Sequence, residues 1–471
     1  MQNYQWRSAR IAIYGLLLFS VVWLNFSKGF AQHDGWSQRS EILRRIVPPS
    51  FPARDFRITD YGAVGDGMSD CTEAFRSAIE ACHAAGGGRV MVPSGIWLTG
   101  AIHLKSNVNL YLKKNATIRF STDPQKYLPV VYTRFEGVEC LNYSPLIYAF
   151  EQDNIAITGK GVLDGGAMAN VWWDWKGPWD DAETTPTGWQ PGMVDQRTDV
   201  AALEQMAENN LPVTQRIFGK GHYLRPSFVQ PYRCKNVLIQ GITIKNSPMW
   251  VIHPVLCTNV TIEHVTVESL GPNNDGCNPE SCRDVWIKDC YFNCGDDCIA
   301  IKSGRNADGR RIHVPSENIV IQRCRMKNGH GGVTIGSEVS GNVRNIFAED
   351  CVMDSPQLDR ALRIKTNSLR GGVIENVFLR NIVVGQVKEA VIHIDMFYGK
   401  DRGPHSPIIR NIQLDRLTCQ NAPYAFVIKG EEKSPVSLLR IENCRINGVN
   451  RGFIQQHVRD LILRNVCINV Q

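Results

Sequence analysis

The chain lacks a surplus of either charge. Three of its 52 Lys and Arg residues (Arg7, Arg10, Lys28) lie in an N-terminal stretch without an acid, which leaves 49 basic against 46 acidic residues. A balanced molecule exerts no whole-surface pull on a polyanion, so any preference for an anionic partner must be local. It lacks a CxxC pair, and its first cysteine, Cys71, comes too late to carry a lipid at an N-terminal cleavage site. It lacks long helical periods. Beyond residue 31 it also lacks any apolar run approaching the ~20 residues of a spanning helix. Its 40 glycines and 23 prolines are scattered, which excludes collagen-like and linker-dominated architectures, and 43% hydrophobic content excludes wholesale disorder.

What is present begins with a leader. Residues 1–10 are polar and basic, Ile11 to Phe26 is mostly apolar, and the small residues Gly29 and Ala31 precede Gln32. This pattern predicts a signal peptide over 1–31, cleaved after Ala31, and hence a secreted or periplasmic protein. An uncleaved anchor is the competing reading, but the run is short for a bilayer. Residues 32–50 read as a loose tether and 51–471 as one domain.

An internal repeat sets the architecture of that domain. The block from Asn236 to Ile244 returns from Asn259, Asp284, Asn318, Asn345, Asn376, Asn411, Leu438 and Asp460, with an earlier copy at Asn154; the later starts lie 22 to 35 residues apart. Each copy reads as two short alternating strands around a polar bend, with no crossover helix between copies. This predicts an all-β fold, a single-stranded right-handed parallel β-helix. Cys290, Cys324, Cys351 and Cys444 each fall six residues after a repeat start, so they are expected to stack inside the coils as small hydrophobes rather than as disulfides. Asp70 to Glu73 reads as a capping box opening an N-terminal capping helix through Ala74, Phe75, Ala78, Ile79 and Cys82, ended by Gly86–Gly88. The segment 164–225 breaks the repeat and carries five tryptophans, a loop excursion that would stack on a bound ligand, wall off a cleft or simply pack onto the coils.

Between repeat blocks, segments align without gaps. Asp275–Ser281 sits over Asp297–Ser303, then over Gly331–Ser337, with Ala361–Thr366 continuing the column. Stacked residues in a β-helix lie roughly 4.8 Å apart. Asp275 is therefore placed beside Asp297, and Asp296 beside His330. Strand parity points Ala300, Lys302, Thr334, Arg363 and Lys365 outward with Asp296 and Cys298. Asp275 and Asp297 must be re-aimed by the turns before them. Three carboxylates, one imidazole and two cations then share an exposed strip, and mutual repulsion should leave at least one acid protonated. That is the equipment of glycoside hydrolysis, with a fixed positive site for an acidic sugar. An Asp-Asp pair alone would signify no more than a solvated cluster or a calcium site.

Asn273-Asn274-Asp275, Gly295-Asp296-Asp297, Gly329-His330-Gly331 and Arg363-Ile364-Lys365 together resemble the signature of the polygalacturonases of glycoside hydrolase family 28, over about residues 51–471; only Asn274, in a threonine place, departs. The resemblance implies inverting hydrolysis of α-1,4-galacturonosyl linkages. Asp296 would be the general acid, and Asp275 and Asp297 would hold and activate the water. His330 would tune Asp296, and Arg363 and Lys365 would grip a galacturonate carboxylate. Lys302 would either read a second carboxylate or be an ordinary exposed lysine. Inversion is expected to separate acid and base by about 6.5–9.5 Å.

The implied partner is a galacturonate-containing polysaccharide or oligosaccharide. No nucleic acid is implied, no membrane once the leader is removed, no cofactor and no metal, and the chain is expected to be a monomer with a slight lean to chain-end attack. The alternatives are a rhamnose-containing or substituted pectin backbone, a calcium-dependent lyase, or a non-catalytic carbohydrate-binding solenoid.

Overall fold

The computed structural model describes residues 35–178 and 187–470; the leader and Trp179 lie outside the described residues. The chain winds into a right-handed parallel β-helix. One 24-stranded sheet and a six-stranded sheet run along it, with all but one strand pair parallel. Every repeat start named above falls in register. Ile155 pairs with Val237, Val237 with Val260, Val260 with Val285, Val285 with Ile319, and so on to Leu439 with Leu461.

The starting positions share a backbone conformation that explains their composition. Asn154, Asn236, Asn259, Asp284, Asn318, Asn345, Asn376, Asn411, Leu438 and Asp460 all have φ between 54° and 59°. Asparagine and aspartate enter this left-handed region more readily than other side-chain-bearing residues. The amides also stack. Asn345 Nδ2 donates to Asn318 Oδ1 at 3.0 Å, Asn376 to Asn345 at 3.1 Å, and Asn411 to Asn376 at 2.7 Å. Asn107, whose Oδ1 accepts from Asn154 at 3.1 Å, is an earlier rung that the sequence pattern did not reveal.

Inside the coils, Cys290, Cys324, Cys351 and Cys444 form the expected column of buried thiols, and all fifteen cysteines are free. Burial pushes the Cys324 thiol well above its ordinary range, so it stays neutral.

The helical cap is also as expected in its buried face. Helix α1 (Gly35–Arg45) precedes it, and helix α2 (Thr72–Ala84) buries Ala74, Phe75, Ala78, Ile79 and Cys82 over the first coils. The capping box is half formed. Asp70 accepts from the Thr72 amide at 2.9 Å, whereas Glu73 turns to Arg76 instead of reaching back.

The tether reading is corrected by α1. Residues 35–47 dock onto the outside of the solenoid, with Ile42 and Ile46 buried against Val320, Phe347 and Phe378. Arg45 pairs with Asp284 at 2.8 Å, and the Val47 amide donates to Asn259 at 3.1 Å. The cause is a stripe of apolar side chains at an outward position, two residues after three successive repeat starts. Left bare, it would expose aromatic surface to water, and the helix removes it.

Two further helices belong to insertions that overhang one face: α3 (Arg197–Glu208), within the excursion, and α4 (Asn306–Ile312). Beside them stands the antiparallel hairpin of strands Val131–Phe135 and Val138–Asn142. No helix of the described residues is long and apolar enough to cross a membrane.

Candidate active site

The catalytic column forms as the alignment requires. Cys277 bridges to Ile299 and Glu280 to Lys302, Ala300 pairs with Thr334, Thr334 with Arg363, and Gly336 with Lys365. Asp275, Asp296 and Asp297 converge, and an oxygen of each lies within 4.8 Å of the others. Among the described residues this is the grouping of acidic, histidine or cysteine ligands that could hold a cation. Basic side chains, an imidazole and an amide already hold the three carboxylates.

Asp297 lies between Lys365 Nζ at 2.8 Å and Arg363 Nη1 at 3.2 Å, and it accepts from the Thr334 hydroxyl at 3.0 Å. Burial opposes its ionisation, but the Lys365 and Arg363 cations outweigh that and hold it below the usual carboxylate range. Asp296 meets His330 Nδ1 at 3.0 Å. Burial opposes its charge as well, and the neighbouring imidazolium wins, holding Asp296 low; reciprocally, despite burial, Asp296 lifts His330 to about 9. Asp275 accepts from Asn278 Nδ2 at 2.7 Å, with Lys302 Nζ at 3.5 Å. Burial, reinforced by the Asp296 charge, raises its pKa well above normal. Of the three close carboxylates, Asp275 is thus the one whose surroundings push it toward the protonated form. Asp296, the expected proton donor, holds its proton jointly with His330.

Local sequence explains how these groups are aimed. A Cβ on Gly329 would come 2.3 Å from the Asp296 carbonyl, and one on Gly331 would come 2.3 Å from the Thr334 hydroxyl, so both glycines flanking His330 are required by close approach. Asn274, the departure from the family pattern, is buried. It accepts from the Ser269 hydroxyl at 2.7 Å and the Gly271 amide at 3.0 Å, and donates to the Ser247 and Met249 carbonyls at 3.1 Å each. It clasps the turn that re-aims Asp275. Arg225, which sequence reasoning missed, grips the same turn: its guanidinium donates to the Pro272 carbonyl at 2.8 Å and to Asn273 Oδ1 at 2.7 Å, and burial lowers it to about 10.

Three expectations need correction. The strip is covered rather than exposed. Asp275 is 2% exposed, Asp297 0% and Lys365 6%, and Glu136 of the hairpin turn, Arg305 before α4 and the 398–401 loop line the cavity beside them. Cys298 turns into the core instead of outward, its thiol donating to the Asn328 carbonyl at 3.3 Å, because it lies in the turn before the strand Ile299–Ile301, where strand alternation does not apply. Lys302 is neither an exposed lysine nor a free carboxylate reader: it is buried, donates to Glu338 at 3.0 Å and sits 4.5 Å from the centre of the Trp250 ring.

A cavity of about 290 Å³ opens over the acids. Its lining includes Glu136, Lys176, Trp250, Arg305, Glu338 and Tyr398, residues with no signal in the repeat. One side is closed. The Arg305 amide donates to the Gly137 carbonyl at 3.0 Å, and its guanidinium pairs with Glu136 at 3.0 Å and with Glu204 of α3. The excursion contributes to this wall, but its described tryptophans do not line the cavity. Trp172 and Trp173 are buried against the coils, with the Trp173 indole donating to the Ser247 carbonyl at 2.9 Å; Trp175 packs on Trp172 at 4.9 Å.

Comparison with known proteins agrees with this architecture. Residues 219–462 match the model of glycosyl hydrolases family 28. A probable polygalacturonase of Vitis vinifera is 29% identical over 455 residues, covering 92% of this chain and 82% of the relative. An exo-poly-α-D-galacturonosidase of Dickeya chrysanthemi is 27% identical over 420 residues, covering 83% of this chain and 67% of the relative. The solved structure of a hyperthermoactive exopolygalacturonase from Thermotoga maritima is 48% identical, covers 92% of this chain and 96% of its own, and superposes with a TM-score of 0.89. The cysteine and asparagine columns, the acid cluster and these likenesses converge on one assignment: the chain belongs to glycosyl hydrolases family 28.

Proposed function

We propose that the protein is an exported exo-polygalacturonase that cleaves α-1,4-galacturonosyl linkages of pectin with inversion. The observation that carries this reading is a pocket lined by Asp275, Asp296 and Lys365, with His330 paired to Asp296 and with Asp297 held by Arg363 and Lys365 on the adjacent rungs.

In this reading Asp296 and His330 hold one proton between them. With His330 lifted to about 9, the pair keeps that proton at neutral pH and passes it through Asp296 to the departing glycosidic oxygen. Asp297, ionised between Arg363 and Lys365, takes a proton from the attacking water, and Asp275 orients that water. Arg363 and Lys365 also receive the carboxylate of a galacturonate beside the scissile bond, sharing their donors with Asp297. The wall built by Arg305, Glu136 and Glu204 stops a polymer from threading through, which favours attack at a chain end. The leader over 1–31 would direct export with cleavage after Ala31, and the mature chain would act as a monomer.

The carboxylate oxygens approach within 4.8 Å. That is closer than the ~6.5–9.5 Å usual for an inverting pair. Stereochemistry therefore depends on where water sits beside Asp275 and Asp297. Proton NMR of the first product is expected to show the β-anomer; an initial α-anomer overturns inversion. For substrate and mode, polygalacturonate is incubated with enzyme and products are sized early. Monomer alone supports chain-end cleavage, a ladder of oligomers overturns it, and no new reducing ends with cleavage of another pectic chain reassigns the substrate.

A further inference from the structure

Arg370 lies in the same cavity, and the mechanism leaves it unused. It is 4% exposed. Its Nη1 donates to Asn306 Oδ1 at 2.7 Å, and its Nε has no hydrogen-bond partner. No carboxylate of the described residues comes within 4.0 Å of it; Glu338, Glu204 and Asp401 act on it from further away. Its neighbours on the wall differ. Lys302 is paired with Glu338, Arg305 with Glu136, and Lys365 with Asp297.

A buried guanidinium held by one neutral amide oxygen is costly to maintain, because its desolvation is not offset by a paired anion. It is nonetheless held in place. Asn367 Oδ1 accepts from the backbone amides of Leu369 and Arg370, both at 3.0 Å, which fixes the turn that delivers the side chain. Asn306 opens α4, so Arg370 stands at the walled side of the cavity. A planar fork with unused donors suits a carboxylate, which it can bind bidentately.

We propose that Arg370 reads a second uronate carboxylate, that of the chain-terminal sugar lodged against the wall, distinct from the one received by Arg363 and Lys365. This rests on the galacturonan reading above and makes Arg370 a specificity determinant for an acidic chain end.

The test is titration calorimetry of the full enzyme with galacturonate and with galactose, which differ at C6, alongside kinetics on oligogalacturonates. Wild type is expected to bind galacturonate more tightly than galactose. R370Q should narrow that gap by about tenfold and raise KM on oligogalacturonates about 10- to 100-fold, with kcat nearly unchanged. R370K, which keeps the charge without the fork, should fall between. Wild-type discrimination retained in R370Q, or a lowered kcat with KM unmoved, overturns the proposal. So does a wild type that binds the two sugars equally. If wild type hydrolyses no galacturonan yet selects galacturonate through Arg370, the hydrolytic reading fails and this one stands.

Discussion

The asparagine column and the catalytic column arise from one operation, the stacking of a coil on the coil before it, yet they hold opposite contents. Along the first, a neutral amide recurs on successive rungs and donates to its neighbour, from Asn318 through Asn345 and Asn376 to Asn411. Along the second, unlike groups meet: Asp297 below Arg363 and Lys365, Asp296 below His330. Repetition spreads stability over many similar bonds, so loss of one rung costs one rung. Concentrated charge has no such redundancy: a deletion strips a buried partner of its counter-ion, which is tolerated only where that partner, like His330, can shed its own charge. Chemistry therefore sits where the repeat is broken, and fold strength where it is kept.

The sharpest separation of the two columns is Asp296→Asn. It should lower kcat about a thousandfold while leaving the denaturation midpoint close to wild type, measured by reducing-end assay and urea unfolding. A comparable loss of folding would make this aspartate structural. Next, Lys365→Gln removes one of the two cations holding Asp297 down. The pKa of Asp297 should rise, so the acid limb of kcat/KM moves to higher pH, and KM for galacturonan should increase roughly tenfold.

Titration of His330 provides a third contrast. Its pKa is raised, so the proton shared with Asp296 is present below that value and lost above it; kcat/KM should fall as pH rises through about 9. An alkaline limb near the ordinary imidazole value would break the proposed sharing.

Two smaller effects probe the stacked column. Asn345→Ala deletes a donor to Asn318 and an acceptor for Asn376, and places alanine at φ 59°. It should cost about 2 kcal/mol in chemical denaturation with activity retained. Leu438 occupies the same conformation at φ 54°, half exposed and with no amide to offer. Leu438→Asn should stabilise by up to about 1 kcal/mol.

Much of this was legible in advance, for a physical reason. A β-helix converts sequence offset directly into rung position, so the spacing of Asp275, Asp297 and Arg363 already placed them one above another. The cysteine column was legible because six residues from a repeat start always reaches the same interior position. The docking of α1 was less visible. Its signal lay not in residues 35–45 but in Val320, Phe347 and Phe378, outward positions carrying apolar side chains that needed cover. Arg225, Glu338 and Arg370 left no trace in the repeat, because they reach the site from the excursion and from turns beyond the aligned strands, whose path depends on what they pack against.

From the order of residues alone came the coil, its register, the identity of the stacked columns and the meeting of three aspartates, all consequences of a local period and a fixed rise per turn. The tertiary structure decided which carboxylate keeps a proton, which cations are already engaged, and that the strip lies under a wall rather than in open water. Those outcomes depend on burial and on distances between side chains from separate insertions, and a repeat length encodes neither.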